Sequence, residues 1–342
     1  MKGSVLMAVI NVTPFTDITA LIASDNVNEG DVLLLEEGIY FQTVNISKNN
    51  IRIAAKGPGV IFDGKSILLV AFTLSDVVGV AIDGVNIRHY RVDGIFIEYG
   101  SGNRIINNII NNVQNNGIFL LRSSGNLIWK NEICRCSNGV FLTLGSTSNW
   151  VIGNIAKECD DNGFETEIVL DSNNAFISNV SMRNVSDGYE LFGSNNLLFN
   201  NLSMDNAFGI IFDQGRDSLA IGNVSKSIKF GTHFITNGYI NHFAGENSIE
   251  CNRRKGIEIL GQLGMFINNQ ISNNTDIGME LTDTSEGNLI INNKLVCNIP
   301  ENIVNNGTDN NLVNNIEEPC EPCETPNDVC DNCPDKADNL AF

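Results

Sequence analysis

The chain has 342 residues, with 40 acidic against 21 basic side chains and a formal net charge of −19. A surface this acidic repels the phosphate backbone, so we expect no nucleic-acid partner. No apolar run approaches the roughly 18 residues of a membrane helix, which predicts no membrane insertion.

The first 50 residues read as an N-terminal cap with the first strands. Met1 to Ile10 has a single lysine, Asn11 interrupts the apolar stretch, and no small-residue cleavage site follows, so we expect a strand rather than a signal peptide. Residues 16–24 suit a short helix with Asp17 near its cap, and residues 30–40 read as a strand, a turn and a further strand. The sequence does not fix the cellular location. An extracellular location, or one on the surface of a cell, spore or virion, is favoured.

Residues 51–316 contain a repeat in which a glycine precedes an apolar-x-apolar strand. The glycines are separated by 21 to 25 residues and are Gly94, Gly117, Gly139, Gly163, Gly188, Gly209, Gly231, Gly256 and Gly278. Each unit holds two or three short runs of alternating apolar residues, separated by Gly, Ser and Asn. This period predicts an all-β solenoid of about 10–12 coils, in which each strand pairs in parallel with its equivalents one coil above and below.

The alternation within each unit predicts which side chains form the core. The first and third residues after each glycine should point inward, as in Ile118 with Leu120 and Ile257 with Ile259. Recurring asparagines are expected to stack at one turn: Asn131, Asn154, Asn179, Asn201, Asn223 and Asn293. Five cysteines late in their coils are expected to be unpaired, partly buried packing residues: Cys134, Cys136, Cys159, Cys251 and Cys297.

The N-terminal segments resemble those of a known family. Gly-Asp-Val-Leu-Leu-Leu at residues 30–35, Glu-Gly-Ile-Tyr at 37–40, and Ile-Ala-Ala-Lys-Gly-Pro-Gly-Val-Ile-Phe-Asp-Gly at 53–64 look like the start of pectin-lyase-like right-handed parallel β-helix proteins. The later coils are similar to NosD-type and carbohydrate-binding or sugar-hydrolase repeats. The resemblance covers about residues 15–316 and implies a right-handed parallel β-helix.

The same resemblance leaves activity open, because this group contains lyases, hydrolases, epimerases and binding proteins. The chain lacks the Asn-Thr-Asp, Asp-Asp and Gly-His-Gly set of polygalacturonase-like hydrolases, the Arg-x-Pro-x-x-Arg segment of pectate lyases and the Asp-Pro-His of alginate epimerases. No catalytic residue carries over from these families. If the protein is an enzyme, the fold suggests a polysaccharide lyase, a glycoside hydrolase or an epimerase.

The outward positions of the repeat form two columns that could bind a ligand. Phe96, Phe119 and Phe141 fall on consecutive coils, where their ring faces could stack on sugar rings. Carboxylates follow at once, and the catalytic candidates on this surface are Glu165, Glu167, Glu190, Asp213 and His233. Stacked like charges raise the pKa of one carboxyl unless a cation lies between them, which predicts either a general acid or a calcium site. Alternatively, the rings lie beneath a loop or a partner subunit and the acids are simply solvated.

Arg122 and Arg216 follow their strands directly and are candidates for binding substrate carboxylates. Ion pairing with nearby acids is the expected alternative for both.

Residues 317–342 form a separate tail rich in Glu, Pro, Asp and Cys. Cys320, Cys323, Cys330 and Cys333 make a C-x2-C-x6-C-x2-C array, which suits four-thiolate zinc binding or disulfides within the tail or between chains. Residues 328–338 also resemble part of a thrombospondin type 3 repeat, which implies calcium.

Two functions follow from these features. The first is an outer groove of aromatic and acidic residues that binds or processes a polysaccharide or surface glycan. The second is a non-catalytic structural or surface protein that forms homo-oligomers through its solenoid and is anchored or cross-linked by its cysteine tail.

Overall fold

The computed structural model describes residues 7–226, 228–234 and 241–320, apart from the side chains of His233 and Phe234. The described chain winds into a right-handed parallel β-helix, as predicted. Three long parallel sheets of 14, 13 and 12 strands, here called A, B and C, run along it. The coils slightly exceed the expected 10–12 because the N-terminal strands continue the same sheets.

Sheet A begins each coil. Its strands are β1 (Val9–Val12), β2 (Val32–Leu35), β5 (Arg52–Ala55), β8 (Ala81–Asp83), β11 (Arg104–Ile106), β14 (Leu127–Trp129), β17 (Trp150–Ile152), β20 (Ala175–Ile177), β23 (Leu197–Phe199), β26 (Leu219–Ile221), β29 (Phe243–Gly245), β32 (Met265–Ile267), β35 (Leu289–Ile291) and β38 (Asn311–Val313).

Sheet B follows sheet A after a two-residue turn in most coils. Its strands are β3 (Gly38–Tyr40), β6 (Val60–Asp63), β9 (Asn86–Arg88), β12 (Ile109–Asn111), β15 (Glu132–Cys134), β18 (Ile155–Lys157), β21 (Val180–Met182), β24 (Leu202–Met204), β27 (Val224–Lys226), β30 (Ser248–Glu250), β33 (Gln270–Ser272), β36 (Lys294–Val296) and β39 (Ile316–Glu318).

Sheet C completes the coil and carries the strand that follows most of the repeat glycines. Its strands are β4 (Val44–Ile46), β7 (Phe72–Ser75), β10 (Ile95–Glu98), β13 (Asn116–Leu121), β16 (Asn138–Thr143), β19 (Phe164–Thr166), β22 (Asp187–Leu191), β25 (Phe208–Phe212), β28 (Gly231–Phe234), β31 (Ile257–Ile259), β34 (Met279–Leu281) and β37 (Ile303–Asn305).

A short helix, α1 (Ile18–Ala23), packs against β4 near the first coil, as the sequence predicts. Asp17 caps it by accepting a hydrogen bond from the Ala20 amide at 2.9 Å. Ile18 and Ile22 are fully buried and join the core. The segment therefore covers apolar side chains that the first coil would otherwise expose. No helix in the described ranges is long and apolar enough to span a membrane.

The interior is filled by the inward residues of all three sheets, which form one continuous core. The predicted inward pairs Ile118 with Leu120 and Ile257 with Ile259 are at most 1% exposed. Because each coil buries its apolar side chains against the coils on either side, no coil is stable alone.

Asparagine ladders close the turns between strands, as predicted. Asn131, Asn154 and Asn179 lie in successive coils, and each side-chain amide donates to the next side-chain carbonyl at about 3.0 Å. Each carbonyl also accepts from a backbone amide one coil away, as Asn154 Oδ1 does from Asn131 N at 2.9 Å. These buried side chains satisfy turn amides that no strand partner reaches.

The cysteines differ in part from expectation. Cys134, Cys136 and Cys159 are free and buried, as predicted, and burial raises the pKa of Cys159 to about 12. Cys297 instead forms a disulfide with Cys320, and Cys251 is also disulfide-bonded. The expectation that Cys251 and Cys297 are unpaired was therefore wrong: Cys297 follows β36 and Cys320 follows β39, which pairs with β36 one coil further on, so the two Cα atoms lie 4.1 Å apart.

Candidate functional site on the outer face of sheet C

Three phenylalanines form a ladder on the outer face of sheet C. Phe96, Phe119 and Phe141 are directly paired in register on β10, β13 and β16. Adjacent ring centroids are 5.2 Å apart, with interplanar angles of 25° and 13°. All three rings are half-buried and lie outside the core, as predicted. Because neighbouring rings cover parts of each other's faces, the ladder offers a narrow apolar strip rather than three open faces.

The same outward column continues into two glutamates. Phe141 is in register with Glu165 on β19, and Glu165 is in register with Glu190 on β22. Parallel strands are about 4.8 Å apart, so the two carboxyl groups lie on neighbouring rungs directly beyond the ladder. Asn162 Nδ2 donates to Glu190 Oε2 at 2.8 Å, which holds that side chain in place.

Three aspartates surround the two glutamates. Asp161 lies in the turn before β19, Asp187 begins β22, and Asp213 follows β25. Burial raises the pKa of both glutamates, and a neighbouring aspartate charge adds to the effect, from Asp213 on Glu190 and from Asp161 on Glu165. We call Asp161, Glu165, Asp187, Glu190 and Asp213 the acid cluster.

Burial and mutual repulsion raise the pKa values of the acid cluster, so its carboxyl groups bind protons more tightly. Burial, together with the Glu190 and Asp161 charges, raises the pKa of Glu165 to about 8, against a hydrogen bond from Asn162. Burial and the Glu190 charge raise the pKa of Asp187 to about 7. The pKa values of Asp161, Glu190 and Asp213 are raised as well, burial being the largest cause in each. Near neutral pH the cluster therefore retains protons on carboxyl groups that would ordinarily be ionised.

Several cluster oxygens are buried without a hydrogen-bond partner. They are Glu165 Oε2, Asp187 Oδ1 and Asp213 Oδ1, and Asp187 is only 4% exposed. Buried polar atoms are nearly always paired in folded proteins, so three orphan oxygens in one cluster mark a place where a ligand or water completes the bonding.

A second glutamate pair in the same column provides a contrast. Glu258 on β31 and Glu280 on β34 are in register, and Lys255 forms ion pairs with both carboxylates. Within the described ranges, no Lys or Arg forms an ion pair with Glu165 or Glu190. The outward column of sheet C thus contains two glutamate pairs. Glu258 and Glu280 are neutralised by Lys255, whereas Glu165 and Glu190 have no compensating cation among the described residues.

The other predicted site residues lie around this surface. The backbone of His233 is in register between Ile211 and Glu258, so a buried isoleucine separates it from Glu190. Glu167 is exposed and accepts a hydrogen bond from the Thr143 hydroxyl. The structure therefore brings Glu165, Glu190 and Asp213 together, with Glu167 at the edge.

The two arginine candidates have different partners. Arg216 pairs with Asp217 at 3.8 Å, which agrees with the expected ion pairing. Arg122 instead donates to the hydroxyl group of Tyr99 and lies 5.5 Å from the centre of that ring. Ion pairing of Arg122 with an acid was therefore the wrong expectation, because Tyr99 is the residue one coil away from it. The guanidinium remains exposed in the same coil as Phe119 of the phenylalanine ladder.

Sequence reasoning missed Asp161, Asn162 and Asp187. It followed only the residues after each repeat glycine, whereas these three precede Gly163 or Gly188. The turn into sheet C returns the preceding residues to the same outer surface. The sequence signal that could have identified them is the Asp or Asn that recurs directly before the repeat glycine.

The predicted metal sites have limited support. No group of three or more His, Cys, Asp or Glu in the described part of the chain is arranged to hold a metal ion. Cys320 is bonded to Cys297, so it is not a zinc thiolate in this structure, and its bond is neither within the tail nor between chains. Cys323, Cys330 and Cys333 lie outside the described residues.

The fold and the sequence together define the class of protein. The chain belongs to the family described as the right-handed beta helix region, which it matches over residues 32–169 and 69–225. No curated protein sequence matches it.

Solved structures with the same fold include carbohydrate-active enzymes. An aspartate-to-alanine variant of the catalytic domain of GH87 alpha-1,3-glucanase in complex with nigerose has a TM-score of 0.69 at 14% identity, covering 92% of this chain and 68% of that chain. GH136 lacto-N-biosidase from Eubacterium ramulus has a TM-score of 0.63 at 12% identity, covering 92% and 68%. A point mutant of the periplasmic alginate epimerase AlgG has a TM-score of 0.61 at 12% identity, covering 90% and 84%. These likenesses show a shared fold.

Proposed function

We propose that the protein binds an extended, neutral polysaccharide along the outer face of sheet C and hydrolyses it at the acid cluster. The observation that carries this proposal is the direct continuation of the phenylalanine ladder into carboxyl groups with raised pKa and unpartnered buried oxygens. Perturbed carboxyl groups beside a ligand surface are typical of catalytic acids. The occurrence of glycosidases among proteins of this fold is consistent with the proposal.

The phenylalanine ladder supplies the binding surface in this proposal. A strip of offset rings, about 10 Å from the first centroid to the third, packs against the apolar C–H sides of successive sugar units. The acid cluster repels uronate carboxylates, since no described cation pairs with Glu165 or Glu190. A neutral glycan avoids that repulsion while its hydroxyl groups donate to the free carboxyl oxygens.

The acid cluster supplies the chemistry. Glu165, protonated at neutral pH, donates its proton to the glycosidic oxygen as the C–O bond breaks. The Glu190 carboxylate then bonds to the anomeric carbon, since carboxyl groups on adjacent rungs are separated by about the 5 Å that retaining enzymes use. Water attacks that carbon, releases Glu190 and returns a proton to Glu165.

The first prediction concerns this reaction. Purified full-length protein is incubated with a panel of neutral polysaccharides, and the release of reducing ends is measured. Glu165→Gln should lower kcat by about 10²- to 10⁴-fold, because the amide cannot protonate the leaving group. Phe119→Ala should raise KM by roughly tenfold through the loss of apolar contact.

Glu280→Gln is the matched control, because Glu280 lies in the same column but is paired with Lys255. It should leave kcat within about twofold of the wild-type value. If wild-type protein neither binds nor cleaves any glycan on a broad panel, the proposal is wrong and the non-catalytic structural role is favoured. Equal losses in Glu165→Gln and Glu280→Gln would likewise contradict the assignment of Glu165.

A further inference from the structure

The outer surface of sheet A is apolar over most of its length, and the proposed function gives it no role. This surface spans eight successive strands of sheet A, in each of which the first and third residues point outward. None of these outward residues is charged or polar apart from the two indole N–H groups. The strands are β14, β17, β20, β23, β26, β29, β32 and β35. Trp129, Trp150, Phe199 and Leu219 are 37%, 50%, 38% and 39% exposed. We call these outward residues the apolar face.

The apolar face is sharply bounded. One coil before it, Arg104 is exposed, and Arg52 and Asp83 form an ion pair on the same surface. One coil after it, Asn311 occupies the equivalent position. Polar and charged side chains therefore return at the two ends of sheet A, and the protein as a whole carries a net charge of −19. A solvated sheet face ordinarily alternates apolar inward with polar outward residues, and this one does not.

The face is large enough for a specific interface. Eight strands spaced by about 4.8 Å give a length of about 40 Å. The half-buried outward residues Ile155, Val180, Leu202 and Val224 of sheet B adjoin it across a two-residue turn and widen it to about 15 Å. The resulting footprint of roughly 600 Å² is at the upper end of what monomers expose, and two such faces reach the roughly 1,200 Å² of a specific interface.

Among the described residues, Lys130 lies over the Trp129 ring at one end of the face, with its Nζ 5.0 Å from the ring centre, and no helix covers the remaining strands. The helix α1 packs against β4 of sheet C. Residues 321–342 contain only Val329, Leu340 and Phe342 as large apolar side chains, too few for eight strands of apolar surface. A second copy of the chain presents the same sheet, with the same strand spacing and an apolar face of the same length. Two such sheets pack face to face about 10 Å apart.

We propose that two copies of this chain form an antiparallel dimer through the apolar face. With the twofold axis at the centre of the face, between β23 and β26, strand β20 lies opposite β29 of the second copy. The smallest outward side chain then faces a large one, since Ala175 faces Phe243, whose ring also covers Gly245 of its own strand. A parallel dimer has its twofold axis along the solenoid and reverses the strands, so it places Phe243 opposite Gly245 and Ala175 opposite Ile177; the size exchange described below separates the two arrangements.

The dimer leaves sheet C exposed, so it is independent of the proposed polysaccharide site. The test is the mass of the full chain in sedimentation equilibrium from 1 to 100 μM, with and without a reductant, because the tail cysteines could also link chains. The wild type should have twice the 37.3 kDa chain mass in both conditions. Leu219→Asp, at the centre of the face, should raise the dissociation constant at least a hundredfold while circular dichroism stays unchanged. Ile39→Asp, equally outward on sheet B and 55% exposed, is the matched control and should remain dimeric.

A size exchange tests the antiparallel arrangement. Ala175→Phe and Phe243→Ala should each weaken the dimer at least tenfold, through a clash and a gap respectively, and the double variant should recover most of the affinity. A wild-type monomer at 100 μM, or a Leu219→Asp variant that still dimerises, overturns the dimer. Failure of the double variant to recover overturns the antiparallel pairing. A monomer that floats with phosphatidylcholine vesicles overturns the dimer too and assigns the face to lipid.

Discussion

Two glutamate pairs in one outward column show how a local cation changes what a carboxylate can do. Lys255 lies between Glu258 and Glu280 and compensates both charges. Among the described residues, Glu165 and Glu190 share the side-chain amide of Asn162, which stabilises a carboxylate less than an ammonium group does. The first pair is compensated by ion pairs, whereas in the second pair burial and neighbouring charges raise the pKa of Glu165, so its carboxyl group keeps a proton near neutral pH.

The second prediction follows at this residue scale. The folded-state pKa of Glu165, about 8, is above its ordinary value of 4.5, so the folded chain binds this proton more tightly than the unfolded chain. Stability is therefore lost as the pH rises from about 4.5 to about 8. Glu165→Gln removes this loss and should raise the free energy of unfolding at pH 8 by about 4 kcal/mol, with little change at pH 4. Urea unfolding at both pH values measures the difference.

Glu280→Gln should act in the opposite direction at pH 8, because it leaves Lys255 with one carboxylate fewer. A Glu165→Gln variant less stable than the wild type at pH 8 would show that the Glu165 carboxylate is compensated after all.

The coil-to-coil turns depend on side chains as much as on backbone. Asn201 donates through Nδ2 to Phe176 O at 2.8 Å and to Asn223 Oδ1 at 3.0 Å, and its Oδ1 accepts from Asn179 N at 2.9 Å. These atoms are buried, so water cannot replace a lost partner. At the scale of the element, the asparagine ladder is what allows a two-residue turn between sheets A and B.

The third prediction tests this ladder. Asn201→Ala leaves buried donors and acceptors of both neighbouring coils without a hydrogen-bond partner. It should lower the free energy of unfolding by about 3 kcal/mol. The preceding Asn200 is exposed and has a positive φ of 54°. Asn200→Ala is therefore the control, and should cost about 1 kcal/mol for its left-handed backbone alone. Equal losses for the two variants in urea unfolding would refute a special role for the buried ladder.

As a whole molecule, the protein is a stack in which each described coil contacts mainly its neighbours. The stability of such a stack is distributed along its axis, and the terminal coils open most easily. The disulfide between Cys297 and Cys320 joins the chain beyond β39 to the coil that contains β36. It therefore restrains the C-terminal coils directly.

The fourth prediction concerns this restraint. Cys297→Ser should increase amide hydrogen exchange in β36 to β39 by at least tenfold, since opening of the last coils is no longer limited by the covalent link. The central strands β13 to β26 should exchange as in the wild type, and they provide the internal control. Faster exchange along the whole solenoid would mean that the stack unfolds as a single cooperative unit.

Much of the fold is readable from the chain because its signals are local and repeated. The glycine period and the apolar-x-apolar strands predict the coils, the inward residues and the outward phenylalanines, since strand geometry fixes which way alternate side chains point. The candidate site was predicted only in part: Glu165, Glu190 and Asp213 follow from that column, whereas Asp161 and Asp187 belong to the preceding turn.

The sequence by itself determined the coil, the core and the columns, because a period of 21 to 25 residues brings equivalent residues one rung apart. Tertiary structure alone decided which charges are compensated, since Lys255 reaches two carboxylates across a rung and no described cation does the same for Glu165. It also decided that Cys320 meets Cys297 and that the outward residues of sheet A form one continuous apolar surface. These outcomes depend on how turns position residues between coils, and turn geometry is not periodic.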